Sequence, residues 1–307
     1  MKLKLLTMMA ILGLVVYENV VAVNASDVTA ATTNATTTTT TTTTTDGGKT
    51  KSTVTKKVTT SATVATKKVA FSIPEDAELS VALLDKCWNN RQDLKNQQII
   101  ADYLMTKPAI PNDYETLWKT ARLVYFIGNF GAGKNRFVKT DEGVKLFNYG
   151  YKAGEAAAEL KPSSVEGHYW YGVDLGSYGI AKGIVASAAN AGDGMKALEK
   201  AKKINPGYEN YGSSRVLGRY YQELPGLFGG SNDKALKLLT EATENEPKSR
   251  TNWVYLGKFY LKDKQYAKAL EICNKAKANG FVSVGKYEDM RYIEEAKKCA
   301  EEAQAKI

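Results

Sequence analysis

A single histidine, His168, and three cysteines are all that this chain of 307 residues offers a transition metal. Cys87, Cys273 and Cys299 form no cluster with it, so the ligand set of a zinc centre is missing and neither a metal nor another cofactor is expected. Three cysteines cannot all pair with one another. Free or buried thiols are the expectation, a Cys273–Cys299 bridge being allowed but not indicated by the spacing. Strand-type alternation is nearly absent, which points away from a sheet-based class. The apolar run from Leu5 to Tyr17 has about 13 residues, short of the ~20 that a membrane-spanning helix needs.

That run is preceded by Lys2 and Lys4 and followed by Val23-Asn24-Ala25, with small residues where a cleavage site places them. The pattern is that of a secretory signal peptide over residues 1–25; an uncleaved anchor and a buried helix are the alternatives. No cysteine follows the run closely enough for lipid attachment. Export, to a periplasm, cell envelope or medium, is the expected location. Residues 26–70 are dominated by threonine, unbroken from Thr36 to Thr45, with scattered lysines. Such a segment buries little apolar surface to offset ordering entropy and reads as a disordered linker. A folded domain then occupies residues 71–307.

Charge of either sign is modest. Of the net +9, residues 1–70 hold eight lysines against Glu18, Asp27 and Asp46, leaving +4 for the remainder. This is a mildly basic domain on a basic tail, not a groove that tracks phosphates, and no nucleic-acid partner is expected.

What the chain has is a repeat. In "TNWVYLGKFYLKDKQYAKALEICNKAKANGF", Trp253, Leu256, Gly257 and Tyr260 stand as W-x-x-L-G-x-x-Y, followed by small residues at Ala269 and Ala276. This is the pattern of a tetratricopeptide unit, in which small residues let two antiparallel helices approach while the large ones fill the space around them. Pro162, Pro206 and Pro247 close earlier units, 44 and 41 residues apart against the ~34 of an uninterrupted repeat. In that register Ala157, Ala201, Ala242 and Ala276 are equivalent, as are Gly172, Gly218 and Gly257. The excess length falls between the two helices of a unit, at "SYGIAKGIVASAANAGD", expected to lengthen the helices, and at "QELPGLFGGSND", expected to be a loop. A weaker pair ends at Pro108, and "KYEDMRYIEEAKKCAEEAQAKI" is a helix suited to capping the stack. The expected fold is all-α: a tetratricopeptide-like α-solenoid of about four to five helical hairpins with a C-terminal capping helix.

"GNFGAGKN", Gly128 to Asn135, lies one residue from a phosphate-cradling G-x-x-x-x-G-K-[ST] loop. Such a loop needs a buried strand feeding its glycines, whereas here the repeat places a helix, and Asn135 replaces the hydroxyl that would ligate magnesium. The stretch reads as a glycine loop between helices. The carboxylates lie on solvated helix faces at i, i+4 spacing, and no catalytic residues are assigned. The protein is not expected to be an enzyme.

Solenoids of this kind bind through the face made by their first helices. The positions that point there are Trp118, Arg122 and Tyr125; Tyr169 and Val173; Arg215, Arg219 and Gln222; and Val254, Lys258 and Leu261. Aromatic walls with arginine forks suit carboxylate ligands, an acidic small molecule or an acidic peptide end. The competing reading is that these arginines pair with neighbouring glutamates.

From Tyr114 to Gly280 the chain resembles three groups, most specifically through Leu217, Gly218, Arg219 and Tyr221 followed by L-P-G-L-F-G-G-S. It looks like the accessory T-component of tripartite ATP-independent periplasmic transporters. It is also similar to a wider set of bacterial tetratricopeptide proteins and to the regulator-of-microtubule-dynamics proteins of eukaryotes. The first resemblance implies an envelope protein that partners a periplasmic solute-binding protein and assembles as a homo-oligomer around a ligand passage. A general protein–protein adaptor of the cell envelope is the alternative.

Overall fold

The computed structural model describes residues 36–46, 49–59, 70–131, 140–278, 280–281 and 285–307. The signal peptide, and Ala132 to Asn135 of the glycine loop, lie outside the described residues.

Residues Thr36–Asp46 (β1) and Lys49–Thr59 (β2) form an antiparallel pair, in register from Thr36 opposite Thr59 to Asp46 opposite Lys49. The linker expected over residues 26–70 contains this pair. Threonine and valine are β-branched and favour extended backbone. The hairpin forms a unit of its own.

Among the described residues, eleven helices make the other unit. In chain order they are α1 (Val81–Asn90), α2 (Leu94–Met105), α3 (Tyr114–Phe130), α4 (Asp141–Leu160), α5 (Val165–Lys182) and α6 (Ile184–Ile204). They continue with α7 (Tyr208–Glu223), α8 (Asn232–Asn245), α9 (Arg250–Lys262), α10 (Tyr266–Lys277) and α11 (Lys286–Gln304). Six begin on a side chain that accepts a hydrogen bond from an otherwise orphaned helix N–H: Ser80, Asp93, Asp113, Thr140, Ser231 and Ser249. Each such cap stabilises its helix by about 1 kcal/mol.

The helices pair as five hairpins, α1/α2 to α9/α10, and the first helices pack on one another in succession as an inner layer. The small-residue register sets the distance between layers. A Cβ on Gly172 would stand 2.6 Å from Leu198 Cγ, one on Gly218 2.8 Å from Leu239 Cγ, and one on Gly257 would collide with Cys273 Sγ. Ala157, Ala201, Ala242 and Ala276 are fully buried at equivalent places in the outer helices. The first insert lengthens α5 and α6, which turn on Gly183 alone at φ 111°. The second is a loop with a 3₁₀ turn at Gly226–Phe228, closed by Gly229 at φ 88°.

The last helix does more than cap. α11 packs on α9 and α10, and its first turns reach the far end of the stack. There Glu288 meets Arg91 at 3.1 Å, and the Tyr287 N–H donates to Gln92 Oε1 at 2.6 Å. A disulfide joins Cys273 on α10 to Cys299 on α11, overturning the expectation that all three thiols are free. Only Cys87, buried in α1, is free among the described cysteines, and burial pushes its thiol up to about 11 despite nearby Lys86.

Candidate binding groove on the inner face

All seven candidate positions lie on inner helices, in different environments. Arg122 on α3 is stacked between Trp88 and Trp118, its guanidinium carbon 3.9 Å and 4.8 Å from the ring centroids. Its carboxylate contact among the described residues, Asp85, is at 3.9 Å, and its buried Nε has no hydrogen-bond partner there. Burial lowers its basicity. Tyr125, one turn on, packs against Trp170 at 5.6 Å. Tyr169 on α5 is buried against Trp170 and Tyr208. For Tyr125 and Tyr169 alike, burial pushes the phenol pKa up.

Arg215 is buried and its donors are committed. It donates to Asn252 Oδ1 at 2.7 Å and to the carbonyls of Glu209 and Asn210 at 3.3 Å. Those carbonyls belong to a left-handed turn at the start of α7, where Glu209, Asn210 and Tyr211 have φ of 51°, 56° and 59°. Non-glycine residues resist that conformation by about 1–2 kcal/mol each. Arg215 and Asn252, whose Nδ2 donates to Asn210 O at 3.1 Å, are what hold it. Arg215 is thus a strut for the backbone, with no glutamate side chain among its hydrogen-bond partners in the described residues.

Arg219, one turn further along α7, differs. Its guanidinium stands 5.6 Å from the Tyr255 ring centroid and makes no hydrogen bond or ion pair with any described residue. Lys258 on α9 is bonded to Glu295 of α11. Burial works against the Glu295 charge, but Lys258, with Arg219 and Arg291 beyond it, holds the carboxyl below its ordinary range. Of the remaining projected positions, Val173 and Val254 are core residues, and Gln222 donates to Phe259 O at 3.2 Å.

The residues that occupy this face were not foreseen. Glu288, Tyr292 and Glu295 lie at i, i+4 and i+7 of α11, on one side of that helix. Glu288 accepts from Arg91 and, at 2.6 Å, from Gln92 Nε2. Tyr292 sits edge-on to Phe130 at 5.7 Å, close enough to Tyr125, Tyr255 and Arg215 for their charges to act on its phenol. The carboxylate–aromatic–carboxylate spacing was visible in the sequence; that it faces inward was not.

A second unforeseen group is Asp174 on α5. It is fully buried, neither carboxyl oxygen has a hydrogen-bond partner among the described residues, and burial raises its pKa well above the usual carboxylate range. The glycine loop offers no comparable chemistry where it is described. Gly128 lies inside α3, where a Cβ would collide with the Phe147 ring, so a helix feeds the loop.

Stacked helical hairpins in a shared small-residue register, with a charged and aromatic inner face, define a tetratricopeptide-type α-solenoid. Its members are in general non-enzymatic protein-interaction scaffolds. The chain belongs to the family described as regulator of microtubule dynamics protein 1-3, which it matches over residues 81–304. No curated protein sequence matches it. Among solved structures it is similar to a thermophilic TPR protein of Thermus thermophilus, TTC0263, at 17% identity over 71% of this chain and 96% of that one, with a TM-score of 0.48. It is also similar to MamA protein, at 19% identity over 64% and 87% with a TM-score of 0.39. For yeast Tom70 the values are 10% identity over 73% and 47%, with a TM-score of 0.38.

Proposed function

We propose that this chain is a non-enzymatic, exported protein-interaction adaptor whose inner face receives carboxylate-bearing segments of a partner protein. One observation carries the reading. The inner face gathers Arg91, Arg122 and Arg219 against aromatic rings, with Lys258 on the same face, and two of these four cations already hold carboxylates presented by a helix. Charge-assisted hydrogen bonds of this kind give both strength and orientation. Export is supported by the apolar N-terminal run and by the Cys273–Cys299 disulfide, which is stable in oxidising compartments. A T-component role beside a periplasmic solute-binding protein, an acidic small ligand, and homo-oligomerisation are narrower forms of the proposal. The first of these is supported by the motif resemblance alone.

A photo-reactive benzoylphenylalanine placed at Trp118, on the inner face, or at Lys237, exposed on the outer helix α8, tests the reading in the native host. Partner peptides should cross-link from position 118 and not from 237. Equal cross-linking from both, or from 237 alone, refutes it. Mass spectrometry of the adduct decides whether a solute-binding protein is the partner.

A further inference from the structure

The two halves of α11 are held differently. Its C-terminal half is fixed to α10 by buried Ala296, Cys299, Ala300 and Ala303 and by the disulfide. Its N-terminal half lies along the inner face, held by Glu288 to Arg91 and Gln92, Tyr292 against Phe130, and Glu295 to Lys258. Of the two charge pairs, Arg91–Glu288 is buried, where desolvation offsets much of the attraction, and Lys258–Glu295 is part-exposed. Any helix presenting the same three groups would recover as much.

Two arginines of the groove make no close carboxylate contact among the described residues. Arg219 has no hydrogen bond or ion pair with a described residue, although Glu223 and Glu295 lie near enough to act on its charge. Arg122 has an unpartnered buried Nε, with Glu209 and Asp85, the latter at 3.9 Å, as the carboxylates that act on it. A helix bringing a further carboxylate to either would gain what α11 lacks.

We propose that the inner groove is a receptor for an amphipathic helix of a partner protein carrying carboxylate, aromatic and carboxylate at i, i+4 and i+7, and that α11 is the resident occupant such a helix displaces. This deepens the adaptor reading and rests on it.

The test uses a fluorescein-labelled peptide of residues 286–304, with serine in place of Cys299, against the full chain and its E288Q/E295Q variant. In the wild type the tethered α11 competes at an effective concentration of order mM, so the peptide binds weakly. With the resident's two carboxylates neutralised, peptide affinity should rise at least about ten-fold. A peptide with glutamine at both positions should not bind. A folded variant, judged by circular dichroism and melting, that fails to take up the peptide overturns the proposal.

Should the variant not fold, hydrogen exchange on the wild-type chain with excess peptide decides. The α11 amides should lose protection while α9 and α10 keep theirs; α11 exchange only through global unfolding overturns the idea. A concentration-dependent dimer of the variant that excludes the peptide assigns the groove to a second copy and equally overturns a partner helix. If partners still cross-link from position 118 while the peptide fails, the adaptor reading stands and this one falls.

Discussion

Replacing Asp174 with asparagine should change how stability depends on pH, and the sign follows from the burial of the carboxyl. Asp174 is fully buried with neither oxygen hydrogen-bonded to a described residue, and desolvation raises its pKa well above the ordinary carboxylate value of 3.8. Below pH 3.8 the group is protonated in folded and unfolded chains alike and carries no penalty. As pH rises above 3.8 the unfolded chain releases its proton and the folded chain keeps it, so wild-type stability falls by about 1.4 kcal/mol per pH unit. The fall continues until the folded group also ionises. Asparagine has no such proton to hold. Its buried amide adds a cost, but one that does not vary with pH.

The informative quantity is therefore the slope of the difference between the two proteins, since every other carboxylate is common to both. Urea unfolding followed by circular dichroism at 222 nm, from pH 4.5 to 7.5, should show the variant gaining on the wild type as pH increases. Difference curves that stay flat would refute the reasoning, and would mean that the folded chain provides a compensating partner for the carboxylate.

The glycine register makes an opposed pair of predictions. Gly172→Ala, facing Leu198 at 2.6 Å and Gly194 O at 2.9 Å, should lower stability by about 1–3 kcal/mol through overpacking. Gly192→Ala, in α6 with nothing within 4 Å, should raise it by about 0.5–1 kcal/mol through helix propensity; denaturant melts of both decide. Reducing the disulfide, which spans a sequence separation of 26, should cost about 3.5 kcal/mol, read as a lower urea midpoint in reductant. Arg219→Ala should change stability by less than about 1 kcal/mol, because among the described residues its guanidinium contacts the Tyr255 ring and makes no hydrogen bond or ion pair, while Glu223 and Glu295 act on it only from beyond bonding distance. It should weaken partner binding by about 1.5–3 kcal/mol in a titration; normal affinity with a lowered melting point would reverse the assignment.

The scaffold was legible because its determinants are local and repeated. Gly172, Gly218 and Gly257 each face a large outer-helix side chain, and the prolines after α2, α4, α6 and α8 stop the helices where a period predicts. The inner positions were legible as positions but not as roles. Nothing in "SSRVLGR" tells that Arg215 turns back onto the carbonyls of Glu209 and Asn210 while Arg219 hydrogen-bonds to no described residue, since the difference lies in a left-handed turn that no glycine signals. The bridge between Cys273 and Cys299 depends on two helices meeting, which spacing does not encode.

The pairing of Arg91 with Glu288, across 197 residues, bears on how the protein comes apart. An open array of repeats unravels from its ends, because each unit is coupled only to its neighbours and the terminal ones have the least to lose. Here the first and last inner helices are bonded to each other, so neither end can fray without also breaking the contact that the other end relies on. Opening of the α1 end and of the first turns of α11 is thereby coupled, so the amides on the two sides of this contact should exchange at matching rates. A stack built from a one-dimensional repeat thus has its two ends tied into one local unit.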